Sequence, residues 1–449
     1  MADAVGGAVA GVPASAAVIG GGWAGCSAAV ELARAGCKVT LFEAARTLGG
    51  RARAVDVQGR QLDNGQHILL GAYKESLRLM RAVGIDPRAA MLHLPLQMRY
   101  PKGSGGMDFL APRLPAPLHL AVALLRADGL DFDDKMALAR FSSTARWTGW
   151  RLHSDCSVSE LLERYDQTDR LIELMWRPLC LAALNTAPER ASAQVFLAVL
   201  RDSLGAARSS SDMLLPRVDL SALFPVAAAA FLESRGGKVH LGAKVDSVGQ
   251  DSAGWRLGDG QRFDAVVIAT PPPAAAILLE QAGAPELAAS LGHFEYEPIT
   301  TCYLQYPSAT RLDLPFYALR DNAASGHWGQ FVFDRGQLDA AQAGMFSVVI
   351  SASGDASALG REALAEAVAG QLALVLKRPE LARPDWVQVI SEKRATFACT
   401  PALARPANAT GLARLVLAGD YTASDYPATI ESAVRSGVAA ARLLTAKGK

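Results

Sequence analysis

The sequence predicts an α/β protein of two domains, one organised on a Rossmann-like parallel sheet and the other a mixture of helix and sheet. Three observations carry that expectation. The chain has 449 residues, well beyond a typical domain of about 100–150 residues. Residues 16–43 read as a strand, a glycine-rich turn, a helix and a second strand, which is the building unit of a parallel sheet. A further strand and helix, at 412–418 and 429–437, lie at the opposite end of the chain.

The elements follow in order. Ala16–Ile19 is a short apolar run that suits a buried parallel strand. Gly20, Gly22 and Gly25 then form G-x-G-x-x-G. The first allows a tight turn, the second a close approach by a pyrophosphate, and the third close packing of helix on strand. The helix is expected over Ala24–Ala35, stopping at Gly36, a favoured residue just past a helix end. Its first amides, those of Trp23 and Ala24 among them, offer partial positive charge to phosphate oxygens. Lys38–Phe42 is the second strand, and Glu43 at its end is placed to accept hydrogen bonds from a ribose diol. Together these predict a bound dinucleotide.

Composition sets the surroundings. Half of the residues are hydrophobic and 20% are charged, the balance of a globular protein. Lys+Arg number 45 against 44 Asp+Glu, so no basic excess exists for a row of phosphates and nucleic acid is not expected as a partner. Six scattered cysteines without a CxxC pair fit a reduced compartment and neither a disulfide framework nor a metal site. Residues 4–30 carry no charge, but Pro13 and Gly20–Gly22 interrupt them and only Asp3 stands near the start. A buried strand, turn and helix explain that stretch better than a signal or membrane span. A cytoplasmic protein is expected.

Glu43 is followed after five residues by Gly49-Gly50-Arg51. This E-x5-G-G-R resembles the signature of FAD enzymes of the amine oxidase and phytoene desaturase superfamily, whose nucleotide domain is of the GR2 type. The resemblance implies bound FAD, with Gly50 close to the ligand and Arg51 offering a fixed cation. It also implies a second contact region at the far end: Gly419 and Asp420 at the ribityl-phosphate portion, and the amides of the helix starting near Thr429 and Ile430 at the flavin. Helix amides there stabilise the anionic reduced ring. In the middle, Lys238–Val245 and Arg262–Ala269 are expected strands; by the same resemblance the backbone of Val245 meets the adenine and Thr270 lies near the cofactor.

Asp63-Asn64-Gly65-Gln66-His67, Pro216–Ser221, Ala395–Pro401 and Asp425–Thr429 are similar to segments of the hydroxysqualene dehydroxylase family of bacterial squalene and hopanoid pathways. The resemblance implies reductive removal of an allylic hydroxyl, with hydride from N5 of reduced FAD quenching the cation. Such chemistry needs an oily tunnel and one proton donor. Residues 114–150, with Trp147 and Trp150, and the apolar run 171–184 offer either the walls of that tunnel or plain core packing. Leu114–Leu125 could also lie peripherally in a membrane surface, as a portal for an isoprenoid substrate. His67 is the first candidate donor, as a side chain titrating near neutrality. Asp63 and Asp425 are candidates if an apolar pocket keeps them protonated, and Tyr426 is the fourth. Cys399 is expected as a buried thiol, leaving FAD non-covalent. The residues do not identify the electron donor.

Three other readings stay open: a carotenoid or phytoene desaturase, an amine oxidase, and a non-catalytic flavin-binding scaffold. The expected FAD domain joins 15–75, 215–285 and 385–449; the substrate domain joins 76–214 and 286–384; residues 1–14 form a lead-in.

Overall fold

The structure, a computed structural model, describes residues 11–446; most of the expected lead-in lies outside them. Strand β1 (Ser15–Ile19) runs into helix α1 (Trp23–Arg34) and the chain returns as β2 (Lys38–Glu43). A hairpin of Ala54–Val57 with Arg60–Asp63 precedes the two-residue strand β3 (Leu69–Leu70). The chain then enters a helical layer that includes α2 (Leu118–Arg126), α3 (Phe132–Trp147) and α4 (Ala193–Leu204). It comes back through β4 (Met213–Pro216), β5 (Lys238–Leu241) and β6 (Ala265–Ile268). A second sheet follows, with β7 (Tyr296–Gln305), β8 (Phe316–Ala318), β9 (Phe331–Asp334), β10 (Met345–Ser351), helix α5 (Arg361–Val375) and β11 (Trp386–Phe397). Strand β12 (Leu415–Leu417) and helix α6 (Ile430–Thr445) end it.

The first sheet is parallel, in the order β5-β2-β1-β6-β12. Its central strands are small and apolar on both faces, with Ala16, Ala17, Val18 and Ala265–Ile268 all fully buried, as a sheet covered on both sides requires. On one face α1 and α6 share a core with Val18, Val267 and Val434. Alanine-rich α1 holds its helix by propensity and fits close to the strands by its small side chains.

The second sheet is antiparallel in the order β8-β9-β10-β7-β11. Leu364, Val368 and Leu372 on one stripe of α5 pack against its Cys302 and Val348. β11 pairs with β7 from Trp386 to Phe397, so these residues, expected with the nucleotide end, are paired into this sheet. The expected strand Arg262–Ala269 is also divided. Arg262–Phe263 joins a small antiparallel sheet with Val248–Asp251 and Gly254–Leu257. Asp264, whose Oδ2 accepts from the Ser15 amide at 2.8 Å, marks the crossing into β6. Sheet pairing of 238–245 stops at Leu241; the amides of Gly242 and Ala243 instead bond Ala45 O and Glu43 O.

Candidate functional site

The turn after β1 is forced by its glycines. Gly20 has φ +109°, and a Cβ on Gly25 would lie 1.8 Å from Gly20 O, so helix and turn touch backbone to backbone. The helical ladder begins with Cys26 N donating to Gly22 O. The amides of Trp23, Ala24 and Gly25 therefore precede the ladder, with no side-chain cap and no acid in the first turn. That is an anion site by construction. The Trp23 side chain turns inward, where Nε1 donates to Ala52 O at 2.9 Å. It fixes the 49–52 loop against α1. A Cβ on Gly22 would meet only Gly50 Cα, at 3.8 Å, so two glycine loops face each other across a slot that any side chain would fill.

Glu43 sits at the end of β2 with Oε2 accepting from Gly21 N at 2.6 Å and Oε1 from Ala45 N at 2.7 Å. Each oxygen keeps a second lone pair for a diol. Arg51 joins the two ends of the chain: Nη2 lies 2.6 Å from Asp420 Oδ1 and Nη1 donates to Ala395 O at 2.9 Å. Burial works against the Arg51 cation, and Asp420 more than restores it, raising the pKa above its ordinary value. Gly419 donates its amide to Ser436 Oγ. Thr429 caps α6, its Oγ1 accepting from Ser432 N at 3.1 Å, so the first-turn amides of Ile430 and Glu431 face outward along the axis. The Glu431 carboxylate does not oppose them; it is turned to the amides of Glu75 and Ser76 and to Arg435. Thr270 Oγ1 is buried and has no protein partner, and Val245 is half-buried, two residues after Ala243, whose amide bonds Glu43 O. A glycine cradle, a bare helix N-terminus, a diol-ready carboxylate and an arginine clamp are the donor set that a dinucleotide with a second, distant contact needs. FAD fits them.

The catalytic candidates separate. His67 is half-buried; Nδ1 lies 2.7 Å from Gly65 O. The carbonyl can only accept, so Nδ1 carries the hydrogen and Nε2 the lone pair. Burial holds its pKa below the usual histidine value, and the bond to Gly65 O works the other way. Asp63 is buried: Oδ1 accepts from Leu220 N at 2.8 Å and Oδ2 stands 3.8 Å from Arg335 Nη2. Burial pushes it up to about 6, with Arg335 pulling the other way. Its carboxyl is tied into the joint between hairpin and second sheet. Asp425 does not occupy an apolar pocket: its side chain is 75% exposed, 3.9 Å from Arg201. Tyr426 donates its hydroxyl to Asp202 on α4, and its ring lies under the Arg435 guanidinium at 4.2 Å. Thus His67 and Asp63 share one segment, Asp425 lies at the surface, and Tyr426 is buried between Asp202 and Arg435.

One apolar expectation changes, at Trp147, and the buried thiol expected at Cys399 is found. Trp147 is 89% exposed and lines no tunnel, whereas Trp150, Leu174 and Trp176 are buried with Phe141 and Phe196. Cys399 is buried and its thiol is pushed up to about 12 by burial, which keeps the nucleophilic thiolate away.

Sequence reasoning missed two arginines. Arg405 wraps its guanidinium around the loop after β12, donating to Asp420 O, Tyr421 O, Ser424 O and Tyr426 O, with Phe397 4.8 Å beneath it. Arg335 is buried and donates to Gln66 Oε1 at 2.7 Å. No local spacing marks either, because their partners are distant in sequence.

Residues 23–445 match the family model described as flavin containing amine oxidoreductase. The chain is 33% identical to a hydroxysqualene dehydroxylase of Rhodopseudomonas palustris, covering 96% of this chain and 98% of the relative. It is 30% identical to one of Sinorhizobium fredii over the same shares. Among solved structures it is similar to cyclohexylamine oxidase from Brevibacterium oxydans, with TM-score 0.69 and 18% identity over 96% of this chain and 99% of that one.

Proposed function

The chain belongs to the flavin containing amine oxidoreductase family and is an FAD-dependent oxidoreductase; from that premise we propose that it reductively removes the hydroxyl of hydroxysqualene to give squalene. The observation that carries this reading is the Arg51–Asp420 pair. It draws both ends of the chain to one place, next to the segment 63–67 that resembles the dehydroxylases. Bound reduced FAD supplies the hydride.

The protein's own residues have three tasks. The amides of Trp23–Gly25, with Glu43, Gly50 and Arg51, bind the adenosine and pyrophosphate half, and Val245 and Thr270 flank it. Gly419, Asp420 and the first turn of α6 at Thr429 and Ile430 hold the flavin half, non-covalently, since Cys399 stays a thiol. His67 manages the proton. Its Nε2 takes up a proton and passes it to the substrate hydroxyl, so that water leaves and an allylic cation remains. A lowered pKa makes the imidazolium scarcer and also a stronger acid, which suits protonation of an alcohol. Asp63, held by Arg335, positions the segment. The apolar layer around Phe141, Trp176 and Phe196 excludes water.

The proposed FAD domain joins 15–75 and 215–285 with the stretch after 397, and the substrate domain takes 76–214 and 286–397. A hydrocarbon substrate implies peripheral contact with a membrane, and an electron donor must reload the cofactor. The deciding experiment is anaerobic incubation of reduced holoprotein with hydroxysqualene. Squalene is the expected product. Conversion of phytoene instead would make the protein a desaturase, and an unchanged flavin spectrum with either compound would leave a scaffold.

A further inference from the structure

Helices α2 and α3 present an unusual surface. Trp147, Phe132 and Leu125 are 89, 76 and 74% exposed, the highest values of any large apolar side chain among the described residues. Leu114, Leu118 and Met136 extend the same face and are also exposed. The two helices are joined by a short turn. At one end Lys135 Nζ donates to Leu125 O at 3.2 Å; at the other, Arg146 acts electrostatically on His119. Their inner faces are conventional, with His119, Ala123, Ala137, Leu138 and Phe141 buried. The pair is therefore apolar on both sides, which a helix in water alone does not require.

Exposed charges of both signs border this face, with Asp131 and Asp133 on either side of Phe132. Arg113, Arg126, Arg140 and Arg146 are exposed along the two helices. The acids cluster at the connecting turn, where Asp131 caps α3 through the Asp134 amide and Asp128 bonds the Gly129 amide. Aromatic and leucine side chains with these arginines among them match the interface of an anionic bilayer: apolar groups enter the acyl boundary and guanidiniums stay with the phosphates. The face is also one layer from the candidate site. His119 Nε2 lies 3.5 Å from Ser211 Oγ, and β4, just beyond Ser211, pairs with β3 two residues after His67.

We infer that the α2–α3 pair is a docking face for an anionic lipid bilayer, through which an isoprenoid reaches the site. The route to the site rests on the proposed reaction; the docking face does not.

The test uses the FAD-loaded protein and vesicles of phosphatidylcholine mixed with phosphatidylglycerol. The wild type is expected to sediment with them. The triple variant Leu125→Glu, Phe132→Glu, Trp147→Glu is expected to bind at least about tenfold more weakly, with flavin content and Tm unchanged. A second variant, Arg126→Gln with Arg140→Gln and Arg146→Gln, is expected to lose the salt-sensitive part of binding. Wild type that stays in the supernatant overturns the inference. So does a triple variant that binds undiminished, or wild type that is a dimer in solution and does not bind vesicles while the triple variant is a monomer, since the face would then be a contact between two copies. Turnover in detergent is a separate reading: if it is absent in the wild type, the proposed reaction falls while sedimentation still judges the face.

Discussion

The two halves of the candidate cofactor site are held together by different physics. The half at residues 20–25 is positioned by backbone packing: a turn and a helix touch because no Cβ stands between them. The half at residues 419–429 is an irregular loop, and two cations from elsewhere hold it, Arg51 on the Asp420 carboxylate and Arg405 on four carbonyls. The first half should fail when anything is added, and the second when something is removed. A packed backbone tolerates no volume, whereas a loop without its donors is only loosened.

The largest effect is expected in the packed half. Gly25→Ala places a methyl 1.8 Å from Gly20 O, so turn and helix must separate at the phosphate site. Overpacking of this kind costs about 1–3 kcal/mol or more, and here it also misdirects the anion site. Purified Gly25→Ala protein is expected to carry no flavin and to melt below the wild type. Wild-type flavin absorbance in this variant would show that the turn has more freedom than its packing implies.

Next comes the segment between the halves. His67→Ala is expected to lower turnover by about 10²–10⁴-fold, the usual contribution of a positioned acid or base, while flavin content is unchanged. The pH profile sharpens this. Burial lowers the His67 pKa, so the protonated fraction falls as pH rises through that lowered value. The rate is therefore expected to climb as pH drops below the ordinary histidine range near 6.5, and His67→Ala should flatten the profile.

The same contrast explains what the sequence made legible. Gly20, Gly25 and Glu43 could be assigned because strand, turn, helix and acid are consecutive, and each role follows from spacing. The pairing of Trp386–Phe397 with β7 could not be read locally, since a strand's partner is set by tertiary contact. Trp147 was misplaced because apolarity in 114–150 does not tell an inward face from an outward one. Arg335 and Arg405 look like any surface arginine until the fold brings Gln66 and the 420–426 carbonyls to them.

Arg405 tests the loosened half. Arg405→Lys keeps the charge but loses the planar fork, and a single ammonium cannot reach four carbonyls in fixed directions. FAD affinity is expected to fall about 10–100-fold, or about 1.4–2.8 kcal/mol, measured by flavin fluorescence on titrating apoprotein. Tm should change less than in Gly25→Ala. If lysine restores full affinity, the charge matters and the fork does not.

The smallest effect separates two aspartates of one loop. Asp420 is buried against Arg51, so Asp420→Asn exchanges a charge-assisted bond for a weaker one and leaves the guanidinium without its counter-ion. It is expected to weaken FAD binding by about tenfold, in the range of 1–3 kcal/mol for a bond to a charged group. Asp425, five residues on, has its side chain in water, 3.9 Å from Arg201, and an exposed pair at that separation contributes about 0–1 kcal/mol. Asp425→Asn is therefore expected to keep FAD affinity and turnover within about twofold of the wild type. A large loss of turnover with flavin retained would return Asp425 to the proton-donor role and require the 420–426 loop to fold inward when substrate binds. Equal behaviour of the two variants would mean that the loop keeps its place without the Arg51–Asp420 pair, held by Arg405 on its carbonyls.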